Sequence, residues 1–187
     1  MRRKTFDSLM TAAGFVLTAV LLVAGALLLW GYNYANNTVT TQLAAQQIYF
    51  PPASAFAHPT PPEITPAMKP YLLQYAGQEL TTGAQAEAYA NHFIAIHLEE
   101  IGGGKTYSQL SAESLAQPNN TALAAEVQLL FRGTTLRSML LNAYGWWRMG
   151  QIALVGAIVS FILGGLMLVL SIFGLWHARK VAPTAEI

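Results

Sequence analysis

Two uncharged apolar stretches decide the fold: residues 9–30, LMTAAGFVLTAVLLVAGALLLW, and residues 149–176, MGQIALVGAIVSFILGGLMLVLSIFGLW. A helix rises about 1.5 Å per residue, so each stretch is long enough to cross a hydrocarbon core of about 30 Å. The chain between them is mostly polar. The sequence therefore predicts an integral membrane protein with transmembrane helices at 9–31 and 149–176 and one large domain inserted between them.

Basic residues flank these stretches on the sides that face away from the inserted domain. They are Arg2, Arg3, Lys4, Arg179 and Lys180. Lys and Arg are enriched on the cytoplasmic flanks of membrane helices. We therefore expect a two-pass protein of the plasma membrane, with both short ends (residues 1–8 and 177–187) in the cytoplasm and residues 32–148 extracytoplasmic.

A cleaved signal peptide is the alternative interpretation of the first stretch. Its basic start fits, and Ala24-Gly25-Ala26 has the small-x-small form of a cleavage site. That triplet, however, lies inside the apolar run, and the run is longer than the usual signal core of about 7–15 residues. The sequence therefore favours a retained membrane anchor.

Aromatic residues at the ends of the stretches support this placement. Indole and phenol rings prefer the headgroup level of a bilayer because they combine an apolar body with a polar edge. The predicted interface anchors are Trp30, Tyr32, Tyr144, Trp146, Trp147 and Trp176.

Composition excludes several classes of function. The chain has no cysteine, which excludes thiol catalysis, iron–sulfur clusters and cysteine-ligated zinc. The formal net charge is +1 without a basic tract, so we expect no nucleic-acid partner. Neither apolar stretch contains an ionisable residue, which argues against a channel or transporter built from this chain alone. We expect no cofactor, no bound metal and no enzymatic activity.

Small residues recur every fourth position on one face of the second stretch, at Gly156, Ser160 and Gly164. This spacing lets helix backbones approach closely. The face is either a docking surface for another membrane protein or the surface that packs against the chain's own first span. Gly14 and Thr18 are the matching small residues of that first span.

A proline-rich segment, residues 51–70, follows the first span and its extension. We expect the extended helix to end near residues 48–50, because the residue before a proline avoids the α region. The prolines predict an extended, polyproline-like connector. We favour a passive strap over a partner-binding segment, for which Phe56, Ile64 and Met68 would be the anchors.

Three helices are predicted in the rest of the inserted domain. Thr82 and Gln85 form a capping box, and Gly102-Gly103-Gly104 ends that first helix. Thr106 and Gln109 form a second box, before a helix that ends ahead of Pro118. A third helix starts near Asn119-Asn120 and loosens at Gly133. Its apolar stripe comprises Leu123, Val127, Leu130, Phe131, Leu136, Leu140, Ala143, Tyr144 and Trp147. No strand alternation appears, so the predicted fold class is all-α.

The densest group of polar ligands is His92, His97 and Glu100. A separation of five residues turns two helical side chains about 140° apart, so the two histidines cannot easily bind one metal. His97 and Glu100 share a side but make an incomplete site. The simpler interpretation places His97 at the edge of the apolar stripe with a hydrogen-bond partner.

Several segments resemble a group of bacterial two-pass membrane proteins with an exported helical domain and no assigned activity. The resemblance covers nearly the whole chain. It is carried by residues 2–7 (RRKTFD), 46–51 (QQIYFP), 88–93 (AYANHF) and 142–151 (NAYGWWRMGQ). It implies a bacterial plasma membrane and brings no catalytic residues.

The sequence favours a non-enzymatic accessory or assembly subunit of a larger membrane complex, held through the second span or the outer domain. The alternative is an extracytoplasmic ligand-binding or sensing module that acts through a membrane partner. It predicts a pocket between the helix at residues 82–101 and the third helix. A metal-dependent enzyme using His92, His97 and Glu100 is a third, weaker alternative.

Overall fold

The computed structural model describes residues 3–182. Arg2 of the basic cluster and the end of the expected cytoplasmic tail, residues 183–187, lie outside the described part. Regular structure in the described chain is helical, which confirms the all-α prediction. The elements are α1 (Arg3–Ala44), α2 (Ala53–Ala57), a 3-10 turn (Pro66–Met68), α3 (Lys69–Leu72), a second 3-10 turn (Leu73–Tyr75), α4 (Gly83–Tyr89), a π-helical turn (Ala90–Ile94), α5 (Ala95–Ile101), α6 (Tyr107–Ala116) and α7 (Thr121–Lys180).

The chain forms two compact units. The first, here called the helix pair, comprises Met1–Tyr34 and Met149–Ile187. The second, here called the helical domain, comprises Ala35–Arg148. Both α1 and α7 contribute residues to each unit, because each of these helices runs across a unit boundary.

Within the helix pair, α1 and α7 run antiparallel at close range. A Cβ atom added at Gly164 would lie 3.2 Å from Leu22, and one added at Gly156 would lie 3.2 Å from Leu28. The contacting residues therefore rise in number along α1 as they fall in number along α7, which is the pattern of two antiparallel helices. Small residues are what allow two backbones to approach this closely.

The less exposed positions of the pair repeat with spacings of three and four residues, as in a coiled coil. On α7 they include Ala153, Ala157, Ser160, Gly164, Met167, Ser171, Gly174 and Ala178. On α1 they include Thr11, Gly14, Thr18, Leu21 and Gly25. Gly156 and Gly164 of the predicted small-residue face thus lie against the chain's own first helix, which is one of the two alternatives that the sequence left open.

The outward surface of the helix pair is apolar. Both helices are long and apolar enough to cross a membrane, and only 17% and 11% of their most apolar windows are buried. The core helix of a soluble protein would be mostly buried, so this exposure fits a lipid environment better. Trp30 and Trp176 are exposed at the ends of the apolar surface. These features are compatible with a membrane protein.

The small, less exposed residues at which α1 and α7 meet are called the seam below. A substitution that overpacks the seam tests it. Gly164→Leu places a branched side chain against Leu21 and Leu22, and we expect it to destabilise the protein by about 1–3 kcal/mol. Gly165→Leu is the matched control, because a Cβ atom there meets nothing within 4 Å. The measurement is the denaturation midpoint of the full chain in a mild detergent. Equal midpoints for the two variants would contradict the seam.

The core of the helical domain combines residues from α1, the proline-rich segment, α4, the π turn and α7. Its fully buried large side chains include Phe56, Met68, Leu72 and Leu80. Phe50 packs at its centre, with ring centroids 5.2 Å from Tyr75 and 5.3 Å from Tyr89. A smaller cluster of Leu110, Val127 and Leu130 joins α6 to α7.

The prediction of an extended connector at residues 51–70 is wrong. The segment folds into α2, a 3-10 turn and the start of α3, with Pro66 and Pro70 in first turns, where a missing N–H costs nothing. Phe56, Ile64 and Met68 are buried in the core and are unavailable as anchors for a partner. Burying one such side chain contributes about 1.5–3 kcal/mol, and this outweighs the preference of proline-rich chains for extension.

The extension of α1 stops at Ala44, earlier than predicted. Gln47 takes a positive φ of 52°, and the chain then continues in an extended conformation. Residues 48–50 pair with residues 78–80: the Phe50 N–H donates to the Gln78 carbonyl at 2.9 Å and the Leu80 N–H to the Ile48 carbonyl at 2.8 Å. These two backbone hydrogen bonds take the place of those that a further turn of α1 would have formed.

Both predicted capping boxes are confirmed. Thr82 and Gln85 cap α4 reciprocally, and Thr106 and Gln109 cap α6 in the same way. The glycine run ends α5 as expected, because Gly103 and Gly104 take the positive φ angles that close the turn.

Two details of α7 differ from prediction. The helix does not loosen at Gly133, whose missing side chain lets α7 approach Leu98 instead. Phe131 and Leu136 are exposed, although the periodicity assigned them to the buried stripe. Trp147, the last residue of the predicted apolar stripe, packs against the core of the helical domain directly over Gly83, and its role as an interface anchor stays a prediction.

The Gly83–Trp147 contact is testable by adding one methyl group. Gly83→Ala would overlap the Trp147 side chain, and we expect a loss of about 1–3 kcal/mol in unfolding free energy. Gly145→Ala on α7 meets nothing within 4 Å, so helix propensity should make it neutral or stabilising by up to about 1 kcal/mol. Chemical denaturation of both variants is the measurement, and a neutral Gly83→Ala would refute the contact.

Candidate functional site

A π-helical turn interrupts the helix between α4 and α5. The Ala95 N–H donates to the Ala90 carbonyl, five residues earlier. Such turns insert an extra residue into a helix and often occur at functional sites. Here the turn leaves the Ala90 carbonyl able to accept a second hydrogen bond from outside its own helix.

Arg137 of α7 supplies that second hydrogen bond. Its Nε donates to the Ala90 carbonyl at 3.3 Å, and its Nη2 donates to Asn91 Oδ1 at 2.8 Å. Asn91 Nδ2 in turn donates to Glu87 Oε1 at 2.7 Å. The Glu87 carboxylate therefore orients Asn91, and Asn91 with the π turn orients one edge of the guanidinium.

An open groove of about 400 Å³ lies beside Arg137. It is lined by α5, by α7 and by the turn that begins α6. The lining residues are Ala95, Leu98, Glu99, Gly104, Lys105, Thr106, Tyr107, Ser108, Leu130, Thr134 and Arg137. This volume is within the range of sites for small molecules, which are usually apolar with a few polar groups.

Charges in this region are partly balanced. Lys105 Nζ contacts both carboxylate oxygens of Glu113 at 2.8 Å. Both side chains are about half exposed, so this pair contributes little to stability. Glu99 adds a negative charge to the α5 wall of the groove. Arg137 is thus the cation of the lining that has no carboxylate bound to it within the described chain.

The histidines of the predicted polar cluster make separate aromatic contacts. His92 stacks on Tyr71, with ring centroids 3.5 Å apart and ring planes within 2°. His97 Nδ1 lies 2.8 Å from the Phe93 carbonyl, and its ring lies 4.5 Å from the Phe93 ring. Glu100 is exposed. Across residues 3–182, no three His, Asp or Glu residues lie close enough to hold a metal ion.

The Tyr89 phenol has a raised pKa because its side chain is largely buried among aromatic rings. Its ring stacks on Phe93 at 4.6 Å and meets the Phe50 ring edge-on at 5.3 Å. Desolvation by this burial raises the pKa of the Tyr89 phenol above its ordinary value. The phenol therefore stays protonated in the folded protein under conditions that ionise it in the unfolded chain.

The raised pKa of Tyr89 predicts alkaline destabilisation. As the pH rises through about 10, the unfolded chain loses this proton before the folded protein does, so the unfolding free energy falls with pH. Tyr89→Phe should make that fall shallower in denaturation experiments from pH 8 to 11 (about the tyrosine titration range). Tyr49→Phe, at an exposed position, controls for loss of a hydroxyl. The same slope in Tyr89→Phe and the wild type would contradict the prediction.

A second surface of interest runs along the helical-domain part of α7. Leu129, Leu136, Met139 and Trp146 are 50%, 42%, 65% and 62% exposed. Their positions share one face of the helix, and Arg132, also exposed, lies within the same face. These five residues are called the outer stripe below.

Sequence reasoning missed Arg137 as a site residue. A signal was present: Arg137 stands seven residues after the buried Leu130 and three before the buried Leu140, so it occupies the core-facing side of the helix. A charge at such a position requires a polar partner in the interior. The π turn that provides the partner has no comparable signature in the sequence.

No family model, curated protein or solved structure matches this chain. Similarity to known proteins therefore assigns neither a family nor an activity.

Proposed function

We propose that the protein is a non-enzymatic accessory or assembly subunit of a larger complex in the bacterial plasma membrane. In this proposal both termini are cytoplasmic, and residues 32–148 are extracytoplasmic. The charge-free apolar stretches at 9–30 and 149–176 support a role without an ion or proton path of the protein's own. Because the small-residue seam is occupied within the chain, a partner is expected at another surface.

The outer stripe is the observation that carries the proposal. It presents three large aliphatic or thioether side chains and one indole on the exposed face of a helix. Clustered exposed apolar side chains of this kind mark interaction sites more often than single ones do. Trp and Arg are also the residue types that most often dominate binding energy at interfaces.

The charge in the stripe indicates the chemistry of the partner. Two copies of this chain with the same orientation in one bilayer would bring their α7 helices together in parallel, and Arg132 would then face Arg132. Like charges at such a contact disfavour self-association. We therefore propose that the partner is a different membrane protein, whose apolar helix carries a carboxylate opposite Arg132.

A site-specific cross-linking experiment tests this proposal. A photoreactive residue at position 139 should cross-link one partner in fixed ratio when the tagged protein is extracted gently from native membranes. The same residue at position 138, which is exposed and lies about 100° around the helix from Met139, is the matched control.

Substitution completes the test. Met139→Glu should abolish co-purification of the partner, because it places an unpaired charge in an apolar contact. Ser138→Glu adds the same charge outside the stripe and should leave co-purification intact. Recovery of the chain alone, or equal cross-linking from positions 139 and 138, would overturn the proposal.

The groove beside Arg137 favours a second candidate function, an extracytoplasmic ligand-binding or sensing module that acts through a membrane partner. The groove lies between α5 and α7, and the sequence placed the expected pocket between the same two helices. Phe93 packs against the core of the helical domain, and His97 is not among the residues that line the groove. Its polar lining residues include Arg137, Ser108 and Thr134.

A further inference from the structure

We propose that the groove binds a small molecule through one carboxylate or phosphate group, which occupies the free end of the Arg137 guanidinium. The apolar body of this ligand packs along the groove wall. The inference rests on the ligand-binding candidate function, whose site it deepens, and it is independent of the outer stripe.

The geometry of Arg137 is the first step. A guanidinium has five N–H donors, and Nε together with Nη2 forms one edge of its fork. That edge is occupied by the Ala90 carbonyl and Asn91. Within residues 3–182, no acceptor takes the Nη1 protons. The end of the fork, formed by Nη1 and the second Nη2 proton, remains available for bidentate binding of an anion.

The fixed orientation of this arginine is the second step. Glu87, Asn91 and the π turn hold one edge of the guanidinium, so its side-chain freedom is already lost before a ligand arrives. Preorganisation of this kind lowers the entropic cost of binding. Lys105, in contrast, is exposed and paired with Glu113, which makes it a poor anchor.

The rest of the lining defines the ligand class. Leu98, Leu130 and Tyr107 offer apolar contact, and the hydroxyls of Ser108 and Thr134 offer hydrogen bonds. Glu99 disfavours further negative charge on the ligand. The groove therefore fits a small organic acid or a phosphate ester with one anionic group and an apolar body. A metabolite of this kind and the headgroup region of an anionic lipid share this chemistry.

Binding of defined probes tests the inference. The full chain in a neutral maltoside detergent is titrated with benzoate, phenyl phosphate and dihexanoyl phosphatidylglycerol, and Tm and heat of binding are recorded. Benzyl alcohol and dihexanoyl phosphatidylcholine are the controls without net charge. We expect a saturable rise in Tm with the anions alone. A response to benzoate or phenyl phosphate indicates a soluble ligand, whereas a response to the anionic lipid alone indicates a headgroup.

Two variants assign the binding to the groove. Arg137→Lys should weaken it by about tenfold or more, because lysine cannot reproduce the planar fork. Arg132→Lys on the same helix should not change it. If Arg137→Lys does not fold, Glu99→Gln provides the test instead. This exposed substitution should tighten anion binding, because it removes the repulsion between the Glu99 carboxylate and the anion.

Three outcomes would overturn the inference: no saturable binding of any anion, equal affinity in Arg137→Lys and the wild type, or unchanged affinity in Glu99→Gln. Met139→Glu should retain anion binding, and Arg137→Lys should retain cross-linking at position 139. Failure of the groove and failure of the outer stripe are thereby distinguished.

Discussion

Close backbone packing between two long helices is the constraint on which the helix pair depends. A lipid environment provides no hydrophobic force between apolar helices, so association relies on van der Waals contact and interhelical fit. Glycine, alanine and serine at spacings of three and four residues provide that fit along the seam. Two buried hydroxyls of α1 are paired within their own helix, since Thr11 and Thr18 donate to carbonyls four residues earlier, whereas Ser171 Oγ of α7 has no partner among the described residues.

In the helical domain several buried polar side chains are paired by local hydrogen bonds, although Thr65 Oγ1 is buried without a partner in the described chain. Gln85 is the clearest case: its side chain accepts from the N–H groups of Thr81 and Thr82 and donates to Gln78. Arg137 is paired in the same way on one edge of its guanidinium, whereas its Nη1 protons meet no acceptor within residues 3–182. The proposed ligand site depends on that free end.

Local signals in the sequence were sufficient for the two long apolar helices, both capping boxes and the glycine stop of α5, because each depends on the local composition or on residues within one or two turns. The failures involve contacts that are distant along the chain. Phe56 and Met68 fold their proline-rich segment onto a core whose location the segment does not encode. Trp147 packs on Gly83, which lies more than sixty residues earlier in the chain. The Ala90 carbonyl can accept the hydrogen bond from Arg137 only once the π turn has formed.

The composition of the main core has a consequence for biosynthesis. Val39 and Leu43 near the end of α1 share one cluster with Leu140 of α7. Contacts of such high sequence separation slow folding, because a long loop must close before they form. During translation the domain core therefore remains incomplete until α7 has been synthesised. Until then the side of this core on which Leu140 packs is uncovered, and uncovered apolar surface favours aggregation during folding.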